Sequence, residues 1–426
     1  MGESKIVELR GPEGTKDALT GLLKEGAQSL IKKAVEAELM EFLARYDEFR
    51  LEDGRQQVVR NGYLPEREVQ TGVGSVRVQV PRTRNRGEGE MKFSSAILPP
   101  YLRRTKSVEE LLPWLYLKGI STNDFSDALK ALLGQGAEGL SASTISRLKG
   151  QWETECEAWR KRDLSKKHYV YLWVDGIYCG IRGEDEKLCV LVVLGVNENG
   201  QKELVFINDG YRESEESWLE VLRNLKERGL KYDPLLAIGD GALGFWKALP
   251  QVFPTTKVQR CWQHKTINVL DKFPKSMRAK VLEALHEIWM APTQDTAFKA
   301  WNRFTTSFKD KYPRAVECLD KDKDSLLTFY TFPAEHWRSI RTTNPIESTF
   351  ATVRHRSSRT RGCVSRSSML AFVYKLIEAA SKNWNRLVGF ERLAQVIQGV
   401  PFIDGRTEAE QERETLNEKN DGRLAA

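Results

Sequence analysis

The chain has 426 residues, of which 40% are hydrophobic and 29% charged. That composition excludes a wholly disordered chain and leaves room for about three domains at roughly 150 residues each. The net charge is +7, and the excess is local: residues 335–375 hold eight Lys or Arg against two Glu, a field that suits a polyanion partner or a solvated basic face.

The longest purely apolar stretch, near Leu188–Val196, is far short of the ~20 residues a membrane span needs. No apolar leader is visible between Met1 and Gly14, so no secretory signal and no membrane association are expected. Six cysteines lie at uneven spacings without a C-x-x-C pair, which points to free thiols in a reducing, cytoplasmic compartment.

From Asp17 to Tyr46, Leu19, Leu22, Leu23, Ile31, Val35, Leu39, Phe42 and Leu43 recur mostly at helical spacing, which predicts an amphipathic helix. Glu68–Gln70, Val73 and Val76–Val80 alternate around Gly72 and Gly74. They predict a small β-hairpin that Pro81 stops, followed by a basic loop with Arg82, Arg84, Arg86 and Lys92. Pro99-Pro100 marks a boundary. Ser107 to about Arg162 reads as three helices, the third capped by Ser141 and carrying Ile145, Leu148, Trp152 and Trp159. Its polar start, with Arg147 and Lys149, suggests a DNA-reading helix-turn-helix, although a plain three-helix scaffold has the same pattern.

The pattern then changes to strands: Tyr169–Val174 continuing through Ile177–Ile181, then Leu188–Val196, then Glu203–Ile207, with a turn at Asn197–Gly200. A helix capped by Ser214 follows, with Trp218, Leu219, Leu222 and Leu225 on its apolar face. Strand Leu235–Ile238, a helix over Phe245–Leu249 and strand Lys257–Arg260 complete a mixed α/β sheet. From about Lys265 to Trp337 the pattern is helical. Helices begin again around Pro345 and over Met369–Trp384, and the tail after Gly405 is charged.

Two carboxylates stand out. Asp175 ends the apolar run Tyr171–Val174, and Asp240 ends Leu236–Gly239. Strands disfavour Asp, and burying its charge is costly unless a partner or metal neutralises it. Asp240 also falls at the carboxyl end of a strand, where open α/β sheets place ligands. Either Asp-Gly pair alone also reads as a turn. Glu347, in Thr342–Thr349, is a third candidate, surrounded by Arg338, Arg341, Arg354, Arg356, Arg359, Arg361 and Arg366, cations suited to phosphates. Three convergent carboxylates point to Mg²⁺ or Mn²⁺, and two such ions about 3.5–4 Å apart can serve in-line phosphodiester displacement. Cys261-x-x-His264 can start a zinc site, but no second pair follows at suitable spacing. A structural or DNA-adjacent role is therefore expected. Of the 11 Trp, most are expected in the core and one or two are available to stack on an unpaired base.

The chain resembles the Mutator-type transposases of bacterial insertion sequences, within the DDE superfamily, from about residue 15 to 400. The motifs are Trp173-Val174-Asp175-Gly176, Ile238-Gly239-Asp240-Gly241, Cys261-Trp262-Gln263-His264 and Asn344-Pro345-Ile346-Glu347-Ser348, in that order. The resemblance implies an RNase H-like mixed five-stranded sheet with flanking helices and an all-α insertion. It implies Asp175, Asp240 and Glu347 as the catalytic, metal-binding triad for two Mg²⁺ or Mn²⁺ ions, and Cys261 and His264 as the family's signature pair. It also implies strand cleavage and transfer without a covalent protein–DNA intermediate. The DNA partners would be the terminal inverted repeats, bound by the N-terminal region, and the target. At least a homodimer is expected, because two ends must be paired, in a bacterial, nucleoid-associated setting.

The expected division is 1–106, a helical and hairpin region; 107–165, helix-turn-helix-like; 166–264, the first part of the catalytic core; 265–337, the insertion; 338–400, the last part of the core; and 401–426, a flexible tail. DNA-contacting candidates are Arg147, Lys149, Arg341, Arg354, Arg356, Arg359 and Arg361. A structure-selective nuclease with the same core, and an inactive DNA-binding derivative, are the alternatives. An aspartic protease is disfavoured because helices follow Asp240.

Overall fold

The computed structural model describes residues 18–89, 91–108, 142–181, 183–241, 243–359 and 365–414. The chain divides into two compact units, Met1–Leu148 and Lys149–Ala426. The first two helices of the expected helix-turn-helix, at 109–141, lie outside the described residues, as do Arg361 and the far end of the tail.

The first unit is built on helix α1 (Ala18–Ala44) and two antiparallel strand pairs. β2 (Arg67–Thr71) pairs with β3 (Gly74–Val78), and β1 (Val58–Tyr63) with β4 (Pro81–Asn85). The inner pair is the expected hairpin. The outer pair corrects one expectation. The hairpin ends at Val78, ahead of Pro81 as expected, but Pro81 itself starts β4, as the first residue of a strand needs no N–H for the ladder. Arg82 and Arg84 therefore sit on a strand, not in a loop. Val35 and Leu39 of α1 are buried with Val69, Val76, Val78, Val80 and Phe93. Leu19, Leu22 and Leu23, read as the same apolar face, are exposed, because that core is lined by the later turns of α1. The Pro99-Pro100 segment is fastened to this unit. The Arg67 guanidinium donates to the carbonyls of Leu98, Pro99, Pro100 and Leu102.

The second unit contains a five-stranded sheet in the order β7-β6-β5-β8-β9. These strands are β5 (Tyr169–Cys179), β6 (Leu188–Asn197), β7 (Lys202–Gly210), β8 (Leu236–Gly239) and β9 (Lys257–Arg260). The first three form an antiparallel meander, while β8 and β9 join parallel to β5. All ten residues of β6 are buried, which is why it reads as an unbroken apolar run. Each face of β5 has its own cover. Leu172 and Val174 pack in one core with α3 (Glu215–Glu227) and α4 (Leu243–Val252), through Trp218, Leu222, Phe245 and Leu249. On the other face the Tyr171 hydroxyl lies 2.9 Å from His336 Nδ1, and Trp173 Nε1 donates to Ser339 O at 3.1 Å.

Helix α2 (Ala142–Arg160) is the expected third helix. Its later turns bury Trp152 and Cys156. Between β9 and residue 340 the chain is helical: α5 (Trp262–Leu270), α6 (Arg278–Trp289), α7 (Gln294–Phe308), α8 (Pro313–Asp320), α9 (Lys323–Leu327) and α10 (Trp337–Ile340). Trp262 and Trp301 meet edge to face here, and Trp262 Nε1 donates to Leu326 O at 2.7 Å. The buried Gln259 amide ties β9 to this helical region by donating to Leu326 O and accepting from Phe329 N. Then come α11 (Asn344–Arg359), α12 (Arg366–Ser381) and α13 (Leu393–Ile397). No helix among the described residues is long and apolar enough to cross a membrane.

Candidate active site

The sheet itself places the two aspartates. β5 and β8 are parallel neighbours, registered Trp173↔Ile238 and Val174↔Gly239. Asp175 and Asp240 are the next residue of each chain, so their backbones lie about one strand spacing, ~4.8 Å, apart. Asp175 does not end its strand, as expected from sequence: β5 runs on to Cys179, paired with β6 throughout. By alternation Asp175 shares the face of Tyr171 and Trp173. Backbone bonds fix both positions. Gly176 N–H donates to Asp175 Oδ1 at 2.8 Å. The Asp240 carbonyl accepts from Trp246 Nε1 at 2.7 Å and from Arg260 Nη1 at 2.8 Å.

Glu347 arrives from α11. Ile346, Phe350 and Val353 are fully buried at helical spacing and seat the helix beside β5. The preceding residue before the helix, Thr343, is also fully buried. Its carbonyl accepts from Ile346 N and Glu347 N. Its hydroxyl is directed not at those N–H groups, as a capping threonine's would be, but to Glu347 Oε1 at 2.6 Å. The same hydroxyl lies 3.1 Å from Cys261 Sγ and 3.3 Å from His264 Nδ1, and Thr343 N–H points at the same sulfur.

Cys261 and His264 thus belong to this site. Cys261 N–H continues the β8–β9 ladder by donating to Gly239 O at 2.9 Å. One turn into α5, His264 Nδ1 is 3.9 Å from Asp240 Oδ1 and 3.7 Å from Glu347 Oε1. Burial pulls the imidazole down, but Cys261, Asp240 and Glu347 outweigh it and raise His264 to about 9. Ligand atoms of Cys261, His264 and Glu347 lie within 4.8 Å of one another. Burial, then the Glu213 and Asp240 carboxylates, push Asp175 up to about 7, against the pull of His264 and of the Gly176 N–H.

The predicted cations are placed differently from one another. Arg341 is engaged inside the fold. Its guanidinium lies over the Trp289 ring and donates to Trp289 O at 2.8 Å. Arg354 and His355 are exposed on α11, which persists far enough to carry them, and Arg147 is exposed on α2 with Lys149 half-buried. The backbone of Arg356 and Arg359 lies in α11, and Arg361 is outside the described residues. A cavity of about 320 Å³ opens beside Asp240, with Arg260, Lys265, Lys272 and Lys321 in its lining.

The sequence model of the family described as "Transposase, Mutator family" matches residues 3–387. The chain belongs to this family. It is 55% identical over 299 residues to the transposase for insertion sequence element IS6120 of Mycolicibacterium smegmatis, covering 70% of this chain and 92% of that one. It is 50% identical over 279 residues to the transposase for IST2 of Acidithiobacillus ferrooxidans, covering 66% and 94%. The transposase for IS256 in transposon Tn4001 of Staphylococcus aureus is 30% identical over 332 residues, covering 77% and 82%.

In this Mutator-family chain the donor set fits hard divalent cations. Asp175 follows Val174 and Asp240 follows Gly239 in neighbouring strands, and the Asp240 carboxylate adds to the cost of ionising Asp175, a setting that a cation relieves. Sequence reasoning missed two residues here. Thr343 gave no signal beyond its place ahead of Asn344-Pro345. Glu213 was hidden at the start of an acidic helix turn, where Glu215 and Glu216 are expected for the helix dipole. Its distinguishing mark was its place before the cap Ser214 rather than after it.

Proposed function

We propose that this chain is a DNA transposase that binds the terminal inverted repeats of its element and cleaves and joins strands at Asp175, Asp240 and Glu347. The carrying observation is that Asp175 and Asp240 directly follow the registered pair Val174↔Gly239, with Asp240 and Glu347 both beside His264. The strands β5–β9 with α3, α4, α11 and α12 would form the RNase H-like core, and residues 265–337 its helical insertion. Asp175, Asp240 and Glu347 would hold two Mg²⁺ or Mn²⁺ ions, which when bound activate the attacking hydroxyl and stabilise the leaving oxygen.

The chain's own groups do the rest. The Trp246 and Arg260 donors fix the Asp240 backbone, and Thr343 fixes the Glu347 carboxylate. Lys272 and Lys321 of the adjoining cavity, with Arg354 of α11, supply positive charge for the phosphodiester backbone. Transposition joins two element ends, so the working form is a homodimer or larger, acting on DNA in the bacterial nucleoid.

The test uses a labelled duplex carrying one flank of the coding region, incubated with the protein and Mg²⁺ or Mn²⁺ and resolved on a denaturing gel. Metal-dependent joining that Asp240→Asn abolishes is expected. Nicking without joining would favour a nuclease. Binding without chemistry would favour an inactive DNA-binding protein.

A further inference from the structure

Cys261 stands at the position before α5 that ordinarily carries a capping side chain, yet its sulfur makes no cap hydrogen bond. Serine, threonine, aspartate or asparagine would serve the helix better there. The sulfur is buried and faces Thr343 instead, whose N–H donates to it at 3.3 Å and whose hydroxyl lies 3.1 Å away. A filler of the core accounts for that burial but not for the atoms gathered around it.

Those atoms are donors of two further kinds. His264 follows three residues later, a spacing that brings side chains to one face of a helix. Glu347 comes across from the first turn of α11. The sulfur, a His264 nitrogen and a Glu347 oxygen all lie within 4.8 Å of one another, with His264 Nδ1 3.7 Å from Glu347 Oε1. Two zinc bonds to nitrogen and oxygen reach about 4.1 Å between them, and bonds to sulfur and nitrogen about 4.3 Å. Small side-chain rotations therefore close the three donors on one ion. No second Cys or His pair follows at suitable spacing in the sequence, because the third donor comes from a different helix.

The chemistry of this set differs from that of the aspartates. Sulfur and imidazole select zinc and similar borderline cations, whereas Mg²⁺ keeps to oxygen. A deprotonated Cys261, a neutral His264 and an ionised Glu347 carry two negative charges and balance one dication. Binding sends the Cys261 proton to solvent. The Thr343 N–H stays on the sulfur, an outer bond of the kind that orients a metal ligand.

We propose that Cys261, His264 and Glu347 form a binding site for zinc or a cation of its class, tying the start of α5 to the start of α11. It goes beyond the triad reading and does not rest on it, because its signature is a sulfur–metal bond and not strand cleavage.

Co²⁺ in place of zinc makes that bond visible. The full chain, stripped with EDTA and desalted, is titrated with Co²⁺ alone. One ion per chain should produce a near-ultraviolet thiolate-to-cobalt charge-transfer band and the strong visible bands of a four-coordinate ion. Zn²⁺ should bleach both, and a large excess of Mg²⁺ should not. Cys261→Ser should abolish the charge-transfer band, while Cys318→Ser, at a thiol lining the neighbouring cavity, should keep it. His264→Gln and Glu347→Gln should each weaken Co²⁺ binding by about tenfold or more, at least the cost of losing a group that only orients a ligand. Absence of the band in wild type overturns the proposal, as does a band that survives Cys261→Ser. Affinity within about twofold of wild type in either of the other two variants overturns it equally. Should Cys261→Ser not fold, the wild-type spectrum and His264→Gln, at a partly exposed position, decide. Glu347→Gln separates the two readings. Lost cleavage with Co²⁺ binding intact refutes this site and leaves the triad standing, and lost Co²⁺ binding with normal cleavage does the reverse.

Discussion

Asp175 and Asp240 are placed by a sheet, Glu347 by side chains. The first two follow the registered pair Val174↔Gly239 of neighbouring parallel strands, and backbone bonds hold each of them there. Glu347 sits in the first turn of α11 and is held by the Thr343 hydroxyl, which in turn touches Cys261 and His264. A ladder tolerates the loss of one hydrogen bond, whereas a single hydroxyl that orients a carboxylate does not. The two halves of the site should therefore fail in different ways.

The largest effect separates chemistry from placement. Asp175→Asn, Asp240→Asn and Glu347→Gln should each lower strand cleavage on the order of a thousandfold or more, with end binding in a gel shift unchanged. A variant of the three that still cleaves near the wild-type rate removes its residue from the site. Next comes the helix-borne half alone. Thr343→Val should cost about 10–100-fold in cleavage and in Mn²⁺ affinity, as loss of an orienting group does, and Thr343→Ser should restore most of both. If Val and Ser behave alike, the hydroxyl orients nothing.

A subtler difference lies in acid–base behaviour. The folded pKa of Asp175, about 7, is above its ordinary 3.8. Its contribution to stability is therefore fully present below pH 3.8 and is lost as pH rises through 7. In EDTA, Asp175→Asn should melt higher than wild type at pH 8, with the gap closing toward pH 4. A gap constant with pH would assign the effect to packing. The smallest change belongs to the sheet-borne half. Trp246→Phe removes one donor to the Asp240 carbonyl but leaves Arg260 and the ladder. Steady-state cleavage should fall only a few-fold. A loss as large as that of Thr343→Val would erase the contrast between the halves.

The sheet was legible because its strands are apolar and β-branched. β6 and β8 lie within a residue of their expected limits, since buried strands leave unbroken hydrophobic runs, and the polar edge strand β9 matches its limits without one. Turn and cap chemistry was equally plain at Asn197–Gly200 and Ser214. Legibility failed where the signal is relational. Asp175-Gly176 looks like a strand end, yet a side chain on the glycine would meet Glu213, which is distant in sequence. Pro81 looks like a stop, yet it opens β4. The leucines at the start of α1 have the right spacing for a buried face, but periodicity does not say how far along a helix its partner extends. Cys261 and His264 were visible as a pair. Their nearness to Glu347 depends on Thr343 and on where the intervening helices return the chain.

The helices of residues 262–340 lie between the strand carrying Asp240 and the helix carrying Glu347. Protein synthesis delivers the N-terminal portion first, so a growing chain presents the sheet and its aspartates well before the third carboxylate exists. Under the proposed triad, a product truncated anywhere in those helices would lack Glu347 and be unable to cut. Completing the helical region then works as a timer on a genome-damaging activity, and incomplete translation yields a blank rather than a stray nuclease.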